Sequence, residues 1–154
     1  MRLELRPRED IHAGCDDDPA PVAILFPVGV SDEDPLGDLH PEDAFLVELR
    51  AFLRRSYRLG AGEHACVDEI ARDALDLVEG PEGDFARLPV TRWLDAAAAA
   101  GVRQRVATET ALGLALAFVT FLRVEKHVDM AAARRLRRAI VARRAQALSL
   151  PCAA

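Results

Sequence analysis

Six arginines, Arg134, Arg135, Arg137, Arg138, Arg143 and Arg144, fall within eleven residues near the C-terminal end. No acidic residue lies between Met130 and Ala154. Arginine presents a planar fork of donors that suits phosphate and carboxylate oxygens. Three roles follow: contact with nucleic-acid phosphates, contact with an acidic partner, or a solvated basic face. The acidic partner is either another protein or the acidic half of the same chain. If all six arginines met phosphates, binding would fall steeply with salt. No specific nucleic-acid motif accompanies them. A helix-turn-helix can be drawn from Arg92–Ala100, a turn at Gly101 and the helix that follows, but that second helix is too apolar to lie in a groove.

Other chemistry is sparse. His64 and Asp68 are four apart, on one helix face and within reach of a shared metal. Glu125 and His127 are two apart and do not face each other on a helix. There is no HExxH and no paired ExxH of the di-iron type; the histidines are expected at the surface. Cys66 and His64 point to different sides of a helix, so no nucleophilic dyad follows. The chain has no GxSxG, no GxGxxG and no P-loop. Cys15, Cys66 and Cys152 are odd in number and widely spaced, which fits neither a metal site nor a disulfide framework. No catalytic, cofactor-binding or metal-ligating residue is assigned.

The elements that must position the arginines read as helices. Ala111–Leu122, ALGLALAFVTFL, is the longest uncharged apolar run. A membrane span needs about 20 apolar residues, and this run has twelve. Ala and Leu dominate it and favour helix over strand. A helix that is apolar all round is covered on most sides. We therefore expect a central helix over about 105–126. Gly113, Ala117 and Thr120 form a slim face on it that predicts close approach by another helix. The last helix is expected from Met130 to about Leu148, capped by Asp129. Ala133, Leu136, Ile140 and Ala147 fall within an arc of about 60°, so only a narrow stripe can face the core. The six arginines then line the exposed surface.

Upstream, Pro41 suits a first helical position, and Phe45, Leu49, Phe52 and Leu53 form an apolar stripe. Arg54, Arg55 and Arg58 fill its last turn before Gly60 and Gly62. The next helix spans about His64–Glu79, with Val67, Ile70, Ala71, Ala74, Leu75 and Val78 at helical spacing and Asp68, Glu69, Arg72, Asp73 and Asp76 facing away. A short helix over Arg92–Ala100, capped by Thr91 and ended by Gly101, carries Trp93 and Leu94 as anchors. Residues 1–30 read as an extended, partly mobile arm: Asp16-Asp17-Asp18-Pro19 resists regular structure, and Pro27 interrupts Val22–Val30.

The expectation is an all-α fold of about five helices in one helical domain, 31–154, with the arm outside. Hydrophobic residues are 51% but aromatics only 5%, so the core must be largely Ala, Leu and Val. Residues 1–101 carry 10 Arg and 22 Asp or Glu, a net of −12; residues 102–154 carry 10 Arg or Lys and 3 acids, a net of +7. Such asymmetry marks either a polyanion-binding end or acidic helices lying over basic ones. The N-terminus MRLELRPRED is charged throughout, unlike a secretory signal, and a cytoplasmic location with no membrane span is expected. The leading functional expectation is a non-enzymatic helical interaction or accessory protein, such as a subunit of a larger assembly, with an acidic protein partner. A nucleic-acid-binding protein using the last helix is the alternative, and a metal-dependent enzyme built on His64 and Asp68 is the weaker one. Self-association stays open.

Overall fold

A computed structural model describes residues 39–149. The expected N-terminal arm lies outside the described residues. Five helices follow one another: α1 (Pro41–Ser56), α2 (Ala61–Val78), α3 (Val90–Arg103), α4 (Thr108–Val124) and α5 (Met130–Ser149). A single 3-10 turn, Phe85–Arg87, lies between α2 and α3. The all-α expectation holds, with α4 at the centre and packed against the other four helices. None of the described helices is long and apolar enough to cross a membrane.

Local chemistry accounts for the boundaries. Pro41 opens α1, Glu42 and Asp43 sit in its first turn, and Arg54 and Arg55 in its last. Each charge complements its end of the helix dipole. Arg58 lies beyond the helix. At the start of α2 the Glu63 carboxylate accepts the Gly60 N–H at 2.7 Å, so the helix begins three residues before the expected His64. It ends where Glu79 turns left-handed (φ 65°) ahead of Gly80 (φ 111°). The Asp129 Oδ1 accepts the Ala132 N–H at 2.7 Å and caps α5 as expected. Thr91 does not cap α3, which starts one residue earlier, after Pro89.

The core is apolar throughout: no charged or polar residue among the described ones is fully buried. From α4, Leu112, Phe118, Val119, Phe121 and Leu122 are completely enclosed. Phe45 of α1 stacks on Phe85 with ring centroids 5.8 Å apart and meets Phe121 edge-on at 5.3 Å. The few aromatics are thus concentrated where α1, α4 and the 3-10 turn converge. Trp93 is enclosed too, and its Nε1–H donates to the Ile70 carbonyl at 3.0 Å, which ties α3 to α2. That bond gives the indole a partner, without which burying it would be costly.

Two glycines exchange the roles expected of them. Gly101 does not end α3; the helix runs on to Arg103, and the break falls at Gln104–Ala107 with Arg105 left-handed (φ 56°). Gly101 is instead where α3 and α4 approach closest. A Cβ there would stand 2.8 Å from the Ala111 Cβ and 3.1 Å from the Val106 carbonyl oxygen. Gly113, expected at a close helix contact, has open space where its Cβ would be. The slim face of α4 borders a shallow groove of about 370 Å³ between Tyr57, Leu59 and Arg144.

Opposite outcomes follow for the same substitution. Gly113→Ala should raise stability by about 1 kcal/mol through helix propensity, a few degrees in Tm. Gly101→Ala should lower it by about 1–2 kcal/mol, because Ala111 sits on a rigid backbone and overpacking outweighs propensity. Thermal melts of the two variants check both.

Candidate functional site

Helix α5 lies at the edge of the bundle, packed mainly on α4 and more lightly on α3. Ala132, Ala133, Leu136 and Ile140 are buried, while Ala147 is half-buried. The narrow apolar stripe is therefore real, and the rest of the helix surface is open. Met130, Val141 and Leu148 are exposed. At about 100° per residue they share one side with Arg134 and Arg138.

The six arginines divide into two sets. Arg143 donates to Asp95 of α3 at 2.6 Å, and Arg144 to Glu109 of α4 at 3.1 Å. Arg137 lies along the buried stripe and donates to the Thr120 hydroxyl at 3.1 Å. That hydroxyl in turn donates to the Leu116 carbonyl at 2.9 Å, so the small polar residue of the central helix is fully used. These three arginines are half-buried. Arg134, Arg135 and Arg138 are exposed and surround a shallow depression of about 330 Å³ with Ala131. The Arg135 guanidinium donates to the neutral Ala86 carbonyl. Arg134 and Arg138 have no ion-pair or hydrogen-bond partner among the described residues. The expectation of six arginines lining the surface thus narrows to three; the others serve the bundle.

The remaining candidates are placed differently from expectation. Asp68 does not face away. Arg50 of α1 grips it through Nε and Nη2, the shortest contact 2.6 Å. The carboxylate that His64 and Asp68 would offer a metal is thereby engaged. Among the described residues no three His, Cys, Asp or Glu side chains gather to hold a metal ion. Cys66 is fully enclosed, and burial, aided by the nearby Glu69 carboxylate, pushes its thiol up from the ordinary range. His127 is not a surface histidine. It is half-buried, its ring 5.2 Å from Phe45 and 6.0 Å from Phe121.

The sequence pattern hid one polar cluster between α2 and α3. Glu69 accepts from Arg103 Nη2 at 2.7 Å and from the Gln104 amide. Burial pushes the Glu69 carboxyl up, but the Gln104 and Arg103 hydrogen bonds outweigh it, and the group ends below its ordinary value. One turn on, Asp73 has a buried Oδ2 with no hydrogen-bond partner. Burial raises its carboxyl, Arg103 partly opposes this, and Glu69 and Asp76 add to it. Asp73 lies nearer than its exposed neighbour Asp76 to the buried face of α2 that carries Ile70.

Asp73 carries a pH signature. Its carboxyl is raised in the folded state, so its ionised form costs stability above the unfolded-state value, and that cost disappears as acid protonates it. Asp73→Asn should raise Tm at pH 7. The gap to the wild type should close as pH falls through the raised value. Thermal melts across pH 4–7 read the difference, which isolates Asp73 from Glu69, whose contribution runs the other way in both proteins.

Comparison with protein-family models, curated proteins and solved structures finds no match, so the geometry alone speaks for the site.

Proposed function

We propose that the protein is a non-enzymatic helical interaction module whose α5 outer face docks an acidic surface of another protein. One observation carries this: Arg143 and Arg144 pair with carboxylates of the bundle and Arg137 is half-buried against Thr120, whereas Arg134, Arg135 and Arg138 are exposed and have no carboxylate partner among the described residues. Exposed ion pairs contribute only about 0–1 kcal/mol each. A partner must therefore also bury apolar surface, and Met130, Val141 and Leu148 supply it beside the arginines. An amphipathic helix with an acidic flank meets both demands. Two copies meeting through this face would oppose like charges, which disfavours self-association there.

Nucleic acid is the second reading, favoured by the three clustered guanidinium groups. The exposed apolar side chains beside them suit a protein better than a phosphate backbone. The test is binding of a fluorescein-labelled helical peptide with Leu at i, i+3, i+4, i+7 and Glu elsewhere. The triple variant Arg134→Ala, Arg135→Ala, Arg138→Ala should weaken it at least tenfold while shifting stability by no more than about 0.5 kcal/mol. Equal binding by the triple variant and the wild type would remove the arginine face as the site.

A further inference from the structure

Helices α3 and α5 both rest on α4 and pack only lightly on each other, and two adjoining depressions between them make a shallow crevice. It has two lobes. One, of about 310 Å³, is walled by Val90 and Leu94 of α3 and by Ala139 and Ala142 of α5. The other, of about 520 Å³, lies between Ala98 of α3, Thr108 of α4 and Ala147 and Ser149 of α5. Arg143 and Gln146 line both lobes and so mark their junction. Arg143 is the one charged residue in either lining among the described residues. Its guanidinium reaches across to Asp95 at 2.6 Å and joins the two walls. Asp95 itself lines neither lobe, and its side chain is 58% exposed.

We propose that this crevice binds a small amphiphilic carboxylate, with its apolar body in the lobes and its carboxylate on Arg143 in place of Asp95. The lobes fall in the size range of small-molecule sites, which pair apolar walls with a few placed polar groups. Val90, Leu94 and the alanines give an uncharged lining for an alkyl or aromatic body. A single cation at the junction selects one anionic end, and a guanidinium can take a carboxylate through two parallel bonds. A second charge on the ligand would meet no counter-charge in the lining. An exposed pair such as Arg143–Asp95 is weak, so a ligand carboxylate displaces Asp95 at little cost. Asp95 is then a competitor of the ligand, and this makes the two residues of one ion pair act in opposite directions. The site is separate from the outward arginines of α5 and does not depend on the partner proposed above.

Calorimetric titration of the full chain with octanoate, and with octanol as the neutral analogue, tests this. Octanoate should bind at one site. Arg143→Gln should weaken it at least tenfold. Asp95→Asn should tighten it by about twofold to fivefold, the range that release of an exposed pair supplies. Octanol should respond to neither change. Absence of octanoate binding to the wild type would overturn the proposal. So would binding that Arg143→Gln leaves intact, or that Asp95→Asn leaves unchanged or weakens. Asp95 is at the surface, so its variant keeps the test usable even where loss of Arg143 disturbs the fold.

Discussion

The packing of α4 against the other four helices is the constraint on which the rest of the fold depends. The uncharged stretch Ala111–Leu122 can be buried because its backbone groups bond to one another, leaving only side chains to be matched. The match is made by Leu, Phe and Ala side chains from four neighbours and by one backbone-limited contact, Gly101 against Ala111. That contact sets how near α3 comes. It also displaces the helix break from Gly101 to Gln104–Ala107, where Arg105 absorbs the left-handed turn. Gly101 is held as glycine by distance rather than by conformation.

Once α4 is enclosed by α1, α2 and α3, its last open side is left to α5. A helix with six arginines can cover that side only through a narrow stripe, and Leu136 and Ile140 are that stripe. The arginines flanking it must either extend outward or find partners along the seam. Arg137 finds the Thr120 hydroxyl, and Arg143 and Arg144 find carboxylates on α3 and α4. The charge asymmetry of the sequence is therefore partly offset by ion pairs along the surface seams of α5 with α3 and α4. What remains outside is a compact cluster of three guanidinium groups with apolar side chains next to it.

Much of this was legible beforehand. The apolar run Ala111–Leu122, the stripe Val67–Val78 and the Asp129 cap each carry a local signal at helical spacing, and each marks an element of the fold. The arc of Ala133, Leu136 and Ile140 correctly located the buried side of α5. What the spacing could not carry was the partner of each charge. Asp68 and Asp76 look alike on α2, yet only Asp68 faces Arg50 of another helix. His127 was expected at the surface because no metal motif claims it, but the turn after α4 folds it back onto Phe45. Gly113 was expected at a helix contact and Gly101 at a helix end, and only the placement of α3 on α4 shows that Gly101 makes the contact. Pairings between elements, rather than patterns within them, separate the six candidate arginines into two sets.

The most direct measurement is the salt dependence of fluorescence anisotropy with labelled duplex and single-stranded DNA and RNA. With three arginines facing outward on α5, the binding that the triple variant Arg134→Ala, Arg135→Ala, Arg138→Ala removes should lose no more than about 40-fold between 50 and 200 mM salt. Tight binding that falls by about a thousandfold or more over that range would require about six phosphate contacts. A loss of that size that persists in the triple variant Arg134→Ala, Arg135→Ala, Arg138→Ala but disappears in Arg137→Ala, Arg143→Ala, Arg144→Ala would place the phosphate contacts on the second set, and it would contradict the division of the arginines on which the account rests.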